Sequence, residues 1–192
     1  IQAITPDGAG PTATTDRLVM GPALTVPYRC NFATDDQFAL WNVIDANNDE
    51  YTWKRETTLA AAYYYYNEDG ETGGDDWLVS SPIHLEKNKI YRLKFKLQSY
   101  DVSYPEKVAV HLGTGASVAE QTTLLGDYEV ESNTFVEYKV ILPERLESGN
   151  YHISFHCHSE PYMFILYVTD VLLEEVSEGG LSGVVTTGQT PL

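Results

Sequence analysis

The stretch Lys89-Ile90-Tyr91-Arg92-Leu93-Lys94-Phe95-Lys96-Leu97-Gln98-Ser99 decides the fold, because apolar and polar residues alternate through it without a break. Tyr91, Leu93, Phe95 and Leu97 fall on one face, and Arg92, Lys94, Lys96 and Gln98 on the other. A period of two marks a strand that buries one side and wets the other. Working outward, Val108, Val110 and Leu112 repeat the pattern before a Gly113-Thr114-Gly115 turn. Val136, Tyr138, Val140 and Leu142 repeat it before Pro143, and Tyr151, Ile153, Phe155 and Cys157 repeat it again. Residues 163–174 are apolar on both faces, which predicts a central strand covered on each side. Shorter strands are expected over residues 28–32, 41–44, 51–56, 60–66 and 77–80, and helix only over 35–40 and 117–122. Many short strands punctuated by Gly, Pro and Asn predict an all-β, jelly-roll β-sandwich of two antiparallel sheets. A parallel sheet would need long crossover helices, and the sequence offers none.

Size and charge narrow the function classes. A chain of 192 residues suits one principal domain. Its 12 Lys and Arg residues against 28 Asp and Glu give a net charge of −16. That field repels phosphate backbones and anionic lipid, so neither nucleic acid nor a membrane surface is expected as partner. The longest apolar run, residues 163–168, is far short of the roughly 20 residues of a spanning helix, so no membrane insertion is expected. The sequence opens on Ile1 without an export signal, which reads as a processed product or a piece of a longer protein. Residues 1–24 read as a linker or the remnant of a preceding module, 25–176 as the compact domain, and 177–192 as a linker onward. Cys30 and Cys157 are too few for a disulfide scaffold and are not spaced for zinc. Each shares a strand face with core residues; two buried thiols, or one bridge worth roughly 4 to 5 kcal/mol, both remain open.

One loop carries recognisable chemistry. Asp45, Asn47 and Asp49 stand at positions 1, 3 and 5, Tyr51 offers a carbonyl at 7, and Glu56 falls at 12. Alternating oxygens of this kind can wrap a calcium ion. Glu50 stands where a helix-loop-helix calcium motif needs glycine, and strands flank the loop, so the expected site is a sandwich loop with structural calcium. The same residues also suit a polar turn whose side chains bond their own backbone. Asp76 and Asp170 are further candidates. Tyr63 to Tyr66, Trp53, Trp77 and Tyr104 suit either a platform for sugar rings or the core, with alternation sending half of the four tyrosines inward. His152, His156 and His158 share one strand face and read as a solvated polar surface. No nucleophile elbow, Cys–His pairing or phosphate-cradling glycine loop is present, so no catalytic activity is expected.

Read in order, six landmarks resemble a known family. They are Trp41-Asn-Val-Ile-Asp45-Ala-Asn-Asn-Asp49-Glu-Tyr-Thr-Trp53, Asp75-Asp-Trp77-Leu-Val-Ser80-Ser-Pro82-Ile83, and Tyr91-Arg-Leu-Lys-Phe95. Tyr104-Pro105-Glu106-Lys-Val108, Phe155-His-Cys-His-Ser159 and Leu166-Tyr-Val-Thr-Asp170-Val171 complete the series. Together these resemble the cleaved-adhesin, or choice-of-anchor J, domain of surface and secreted proteins of Bacteroidetes-type bacteria. Asn48 and Glu50 stand where the family loop has glycines, and Thr169-Asp170 where members often carry two aspartates. Ile1-Gln-Ala-Ile-Thr-Pro-Asp-Gly8 resembles the closing strands of a fibronectin type III module. The resemblance implies a jelly roll like galactose-binding and carbohydrate-binding modules, with structural calcium. It further implies a monomeric, non-catalytic adhesion module at the cell surface or outside the cell, recognising glycan or a host extracellular protein among neighbouring modules of the same chain. The alternative is a carbohydrate-binding appendage that targets an attached hydrolase or protease to its substrate.

Overall fold

The computed structural model describes residues 4–5, 8–9, 22–66, 71–144 and 146–176. Near the start, β1 (Ile4–Thr5) pairs with β2 (Gly8–Ala9). Otherwise the expectations for residues 1–24 and 177–192 lie almost wholly outside the described residues. The domain then runs β3 (Tyr28–Cys30), α1 (Asp35–Phe38), β4 (Trp41–Asp45), β5 (Lys54–Glu56), β6 (Ala61–Tyr65), β7 (Asp76–Ser80) and β8 (Ile83–Leu85). It continues with β9 (Ile90–Ser99), β10 (Glu106–Gly113), a 3-10 turn (Val118–Glu120), β11 (Thr123–Val130), β12 (Val136–Ile141), β13 (Gly149–Cys157) and β14 (Ile165–Val176). The helical segments are shorter than the sequence suggests. The Thr34 hydroxyl accepts from the Gln37 amide at 3.2 Å and starts α1, which lasts a single turn.

Two sheets face each other. The first has the order β11-β10-β13-β7-β4, with β8 on the end of β13; the second has the order β12-β9-β14-β6-β5, with β3 on β14. Pairings between these strands are antiparallel. The alternation of residues 89–99 is realised as read: Leu93, Phe95 and Leu97 are fully buried while Arg92, Lys94 and Lys96 point outward. Across the interior stand Val108, Val110, Ile153, Phe155 and Leu78. Phe95 meets Phe155 edge-on at 5.3 Å, and Trp41 packs 6.0 Å from Phe155 and 5.4 Å from Phe32.

Two strands escape the sequence pattern. The edge strand β11 reads Thr-Leu-Leu-Gly-Asp-Tyr-Glu-Val, and its pairing with β10 shifts register at Val110 and His111. The three-residue β8 is too short to show a period. The run at 163–174 forms the central strand β14 as expected, between β9 on one side and β6 and β3 on the other. Its apolar outward residues, Tyr167 and Leu172, are nonetheless covered without a third layer, while Asp170 between them is exposed. Tyr167 lies 6.3 Å from the Tyr63 ring and 6.5 Å from Phe135, and Leu172 sits in register between Arg29 and Lys94, whose stems flank it. Among the described residues no helix is long and apolar enough to cross a membrane.

Candidate functional site

At one end of the second sheet, β6 and β9 finish and β14 begins. The residues just beyond these ends, Tyr66, Tyr100, Asp101, Tyr104, Tyr162 and Phe164, enclose a cavity of about 400 Å3. The backbone fixes them. The Tyr66 amide donates to the Phe164 carbonyl at 3.1 Å, Tyr100 to Ile165 at 2.9 Å, and Tyr104 to Asp101 at 3.0 Å. Phe164 is the hub: Tyr100 meets it edge-on at 4.6 Å, with Tyr65 and Tyr66 each at 5.6 Å and Tyr104 at 6.1 Å. The hub is anchored from below by Glu106, whose carboxylate accepts from the Phe164 amide at 2.6 Å and from the Ser159 hydroxyl at 2.5 Å.

Three rings of this group stay open, with Tyr100 54%, Tyr104 45% and Tyr162 61% exposed. Tyr162 holds a φ of 64°, a left-handed conformation that bulky residues rarely adopt and that clusters at binding sites. Aromatic faces beside hydroxyls and one carboxylate offer C–H stacking and hydrogen bonds at a single place. The sequence singled out Tyr104 and the tyrosine run but missed Tyr100, Tyr162 and Phe164. A signal did exist, namely two tyrosines four apart within a loop joining two strands. Of the run itself, Tyr64 is buried, Tyr63 is half-buried on the outer face, and Tyr65 and Tyr66 join the cluster. Trp53 is a core residue that donates to the Asp76 carbonyl at 3.0 Å.

The histidine face differs from its reading. His152 is buried with Nδ1 2.7 Å from the Ser80 carbonyl oxygen, and His156 stacks on Trp77 at 4.0 Å and 8°. His156 and His158 each lie 2.8 Å from a separate carboxylate, Asp75 and Asp127 respectively. His152 and His156 are thus packed, while His158 stays partly exposed beside Asp127, and burial holds the pKa of His156 below its usual value.

The acidic loop is a self-bonded turn as it stands. Asp45 accepts from the amides of Asp49 at 3.2 Å and Glu50 at 2.9 Å, while Asp49 accepts from Tyr51 at 2.9 Å. Asn47 reaches the Gly73 carbonyl at 3.0 Å. The structure brings these three residues together and sets Glu56 apart, because β5 belongs to the other sheet and Glu56 accepts from the Thr58 amide at 2.7 Å. Asp170 lies elsewhere too, paired with Lys96 at 2.8 Å. Among the described residues no three His, Cys, Asp or Glu side chains are already grouped to hold a metal.

One group nevertheless suits a cation. Asp76 is fully buried and lies directly across the strand pair from Asp45; its Oδ1 makes no well-aligned hydrogen bond, although the Thr52 hydroxyl stands close enough to favour the ionised form. Burial first, then the charges of Asp45 and Asp49, push its carboxyl up to about 7. Facing carboxylates repel, and a shared hard cation with oxygen ligands relieves both. Asp45 and Asp76, with Asn47 and Asp49 on the adjoining loop, are the oxygen donors of the right kind for a hard cation, though they are not drawn together around one point.

Similar proteins are found among solved structures. A cleaved adhesin domain of Lys-gingipain from Porphyromonas gingivalis matches with a TM-score of 0.64 at 19% identity, over 79% of this chain and 99% of that one. A second cleaved adhesin domain of the same protein matches with a TM-score of 0.59 at 18% identity, over 77% and 96%. A xylan-binding domain from Paenibacillus barcinonensis matches with a TM-score of 0.51 at 8% identity, over 78% and 99%. No protein-family model matches the chain. No curated protein matches it either. The jelly-roll expectation and the resemblance to cleaved adhesins are borne out in the fold.

Proposed function

We propose that the chain is a non-catalytic binding module that holds a glycan against the ring cluster of Tyr66, Tyr100, Tyr104, Tyr162 and Phe164. The observation that carries this reading is the group of open tyrosine faces around one anchored hub, beside the carboxylate of Asp101. Exposed aromatic patches of this kind serve recognition, and sugar rings present the C–H faces that pack on them. The shared fold with cleaved adhesin and xylan-binding domains supports binding rather than turnover. The module works outside the cell or at its surface, within a larger chain. A calcium ion held by Asp45, Asp49 and Asp76 with Asn47 fixes the loop after β4 and takes no part in chemistry.

A glycan microarray followed by titration calorimetry on the best hit tests the reading. Tyr100→Ala and Tyr162→Ala should each weaken binding about tenfold, since a stacked ring contributes on the order of 1 kcal/mol beyond the area it buries. Leu124→Ala, equally exposed but on β11, should leave affinity unchanged. An array without hits, or tyrosine variants that bind as well as the parent, would overturn it. Retention of a host matrix protein with no glycan bound would favour adhesion to protein instead.

A further inference from the structure

The second sheet has a seam beside β14. This strand pairs with β6 over Ile165 to Val168 and with β3 over Val171 to Leu173, and the register against β9 shifts between Thr169 and Leu172. Thr169 stitches the seam: its hydroxyl donates to the Ala60 carbonyl at 2.6 Å, with the Asn31 carbonyl 3.2 Å away. On the outer surface the seam opens as a groove of about 480 Å3 whose lining includes Arg29, Lys94, Lys96, Glu137, Asp170 and Leu172.

The charges of this face run against those of the chain as a whole. Arg29, Leu172, Lys94 and Lys139 form one cross-strand row, with Arg92 and Glu174 in the next row along β14. Lys96 pairs with Asp170 and Lys139 with Glu137, each at 2.8 Å. Lys94 and Arg92 share the single carboxylate of Glu174, at 2.8 and 2.6 Å. Arg29 is exposed and has no ion pair among the described residues. Five cations thus meet three carboxylates on a protein whose net charge is −16. At physiological salt, charges more than about 8 Å away are largely screened, so this local surplus decides which ions approach the groove.

We propose that the groove beside β14 binds the carboxylate or sulfate groups of an acidic glycan, with Arg29 as the primary contact and Lys94 as the second. A guanidinium matches the planar fork of a carboxylate or two oxygens of a sulfate, and here it stands open at the groove beside Lys94, which shares its one carboxylate with Arg92. The groove also lies on the sheet that ends in the ring cluster. Tyr63 and Tyr167 lie 6.3 Å apart, their rings tilted, on the outer face between the two. An extended sugar chain can therefore lay rings on the tyrosines and acid groups in the groove. The part concerning the rings rests on the glycan reading above; the anion site itself does not.

Calorimetric titrations of the full chain with oligogalacturonate, dextran sulfate and unmodified dextran test it, each at low and physiological salt. The two acidic probes should bind at least tenfold more tightly than dextran, and more weakly as salt rises. Arg29→Glu should cost them tenfold or more, and Lys94→Gln severalfold, at unchanged melting temperature. Preference for one acidic probe distinguishes carboxylate from sulfate, and competition by inorganic sulfate alone would reduce the site to one for the free ion. Acidic probes that bind no better than dextran, or that ignore Arg29→Glu, overturn the groove even if the array hit still depends on Tyr100. Loss of the array hit in the tyrosine variants with groove binding intact separates the two sites. Groove binding that persists while the array hit ignores Tyr100→Ala and Tyr162→Ala removes the glycan reading of the rings and leaves the anion site standing.

Discussion

Glu106 is fully buried, and burial pushes its carboxyl up to about 7 against hydrogen bonds from Ser159 and Phe164 that favour the ionised form. The folded chain therefore keeps this proton across a range where the unfolded chain, with an ordinary value of 4.5, has lost it. Its stabilising contribution is complete below about pH 4.5, falls as pH rises, and is gone above about 7. His111 and His156, held below their usual value by burial, act in the opposite sense below about 6.5. The comparison that isolates Glu106 is thus between parent and Glu106→Gln, which can still accept from Phe164. Thermal melts from pH 8 to pH 5 should show the parent gaining on the variant as acid is added, by on the order of 3 kcal/mol. Parallel curves would mean that the carboxyl titrates normally.

At the scale of elements, the loop between β4 and β5 shows how spacing along the chain and pairing across the sheet select different neighbours for Asp45. Counting twelve positions from Asp45 reaches Glu56, but by then the chain has crossed to the other sheet. The residue that instead meets Asp45 is Asp76, brought opposite by the pairing of β4 with β7. Calcium should raise the melting temperature and chelator lower it, and Asp76→Asn should abolish that response. In chelator the variant should be at least as stable as the parent above pH 7, because it no longer buries an ionised carboxylate among the charges of Asp45 and Asp49. Identical melting of the parent with and without calcium would count against the site.

Taken as a whole, the molecule joins two layers through one aromatic interior, and each layer contributes a cysteine to it. Cys30 lies on β3 of the second sheet and Cys157 on β13 of the first; both are buried, free thiols. Burial pushes both thiols above their ordinary pKa, so the reactive thiolate is scarce as well as shielded. A maleimide reagent should label neither in the native chain and both in denaturant, without prior reduction. The sequence by itself determined the layers, because a period of two obliges residues such as Leu93, Phe95 and Leu97 to share a side that water must not reach. It also exposed the alternating cations Arg92, Lys94 and Lys96, though composition hid them beneath a strongly acidic total. The tertiary structure alone decided which distant residues meet. Tyr66, Tyr100 and Phe164 converge only because three strands end together, and Arg29 joins Lys94 only because β3 docks on β14. Local alternation records which way a side chain points, whereas strand order, which fixes its neighbours, is set by the packing of the whole chain.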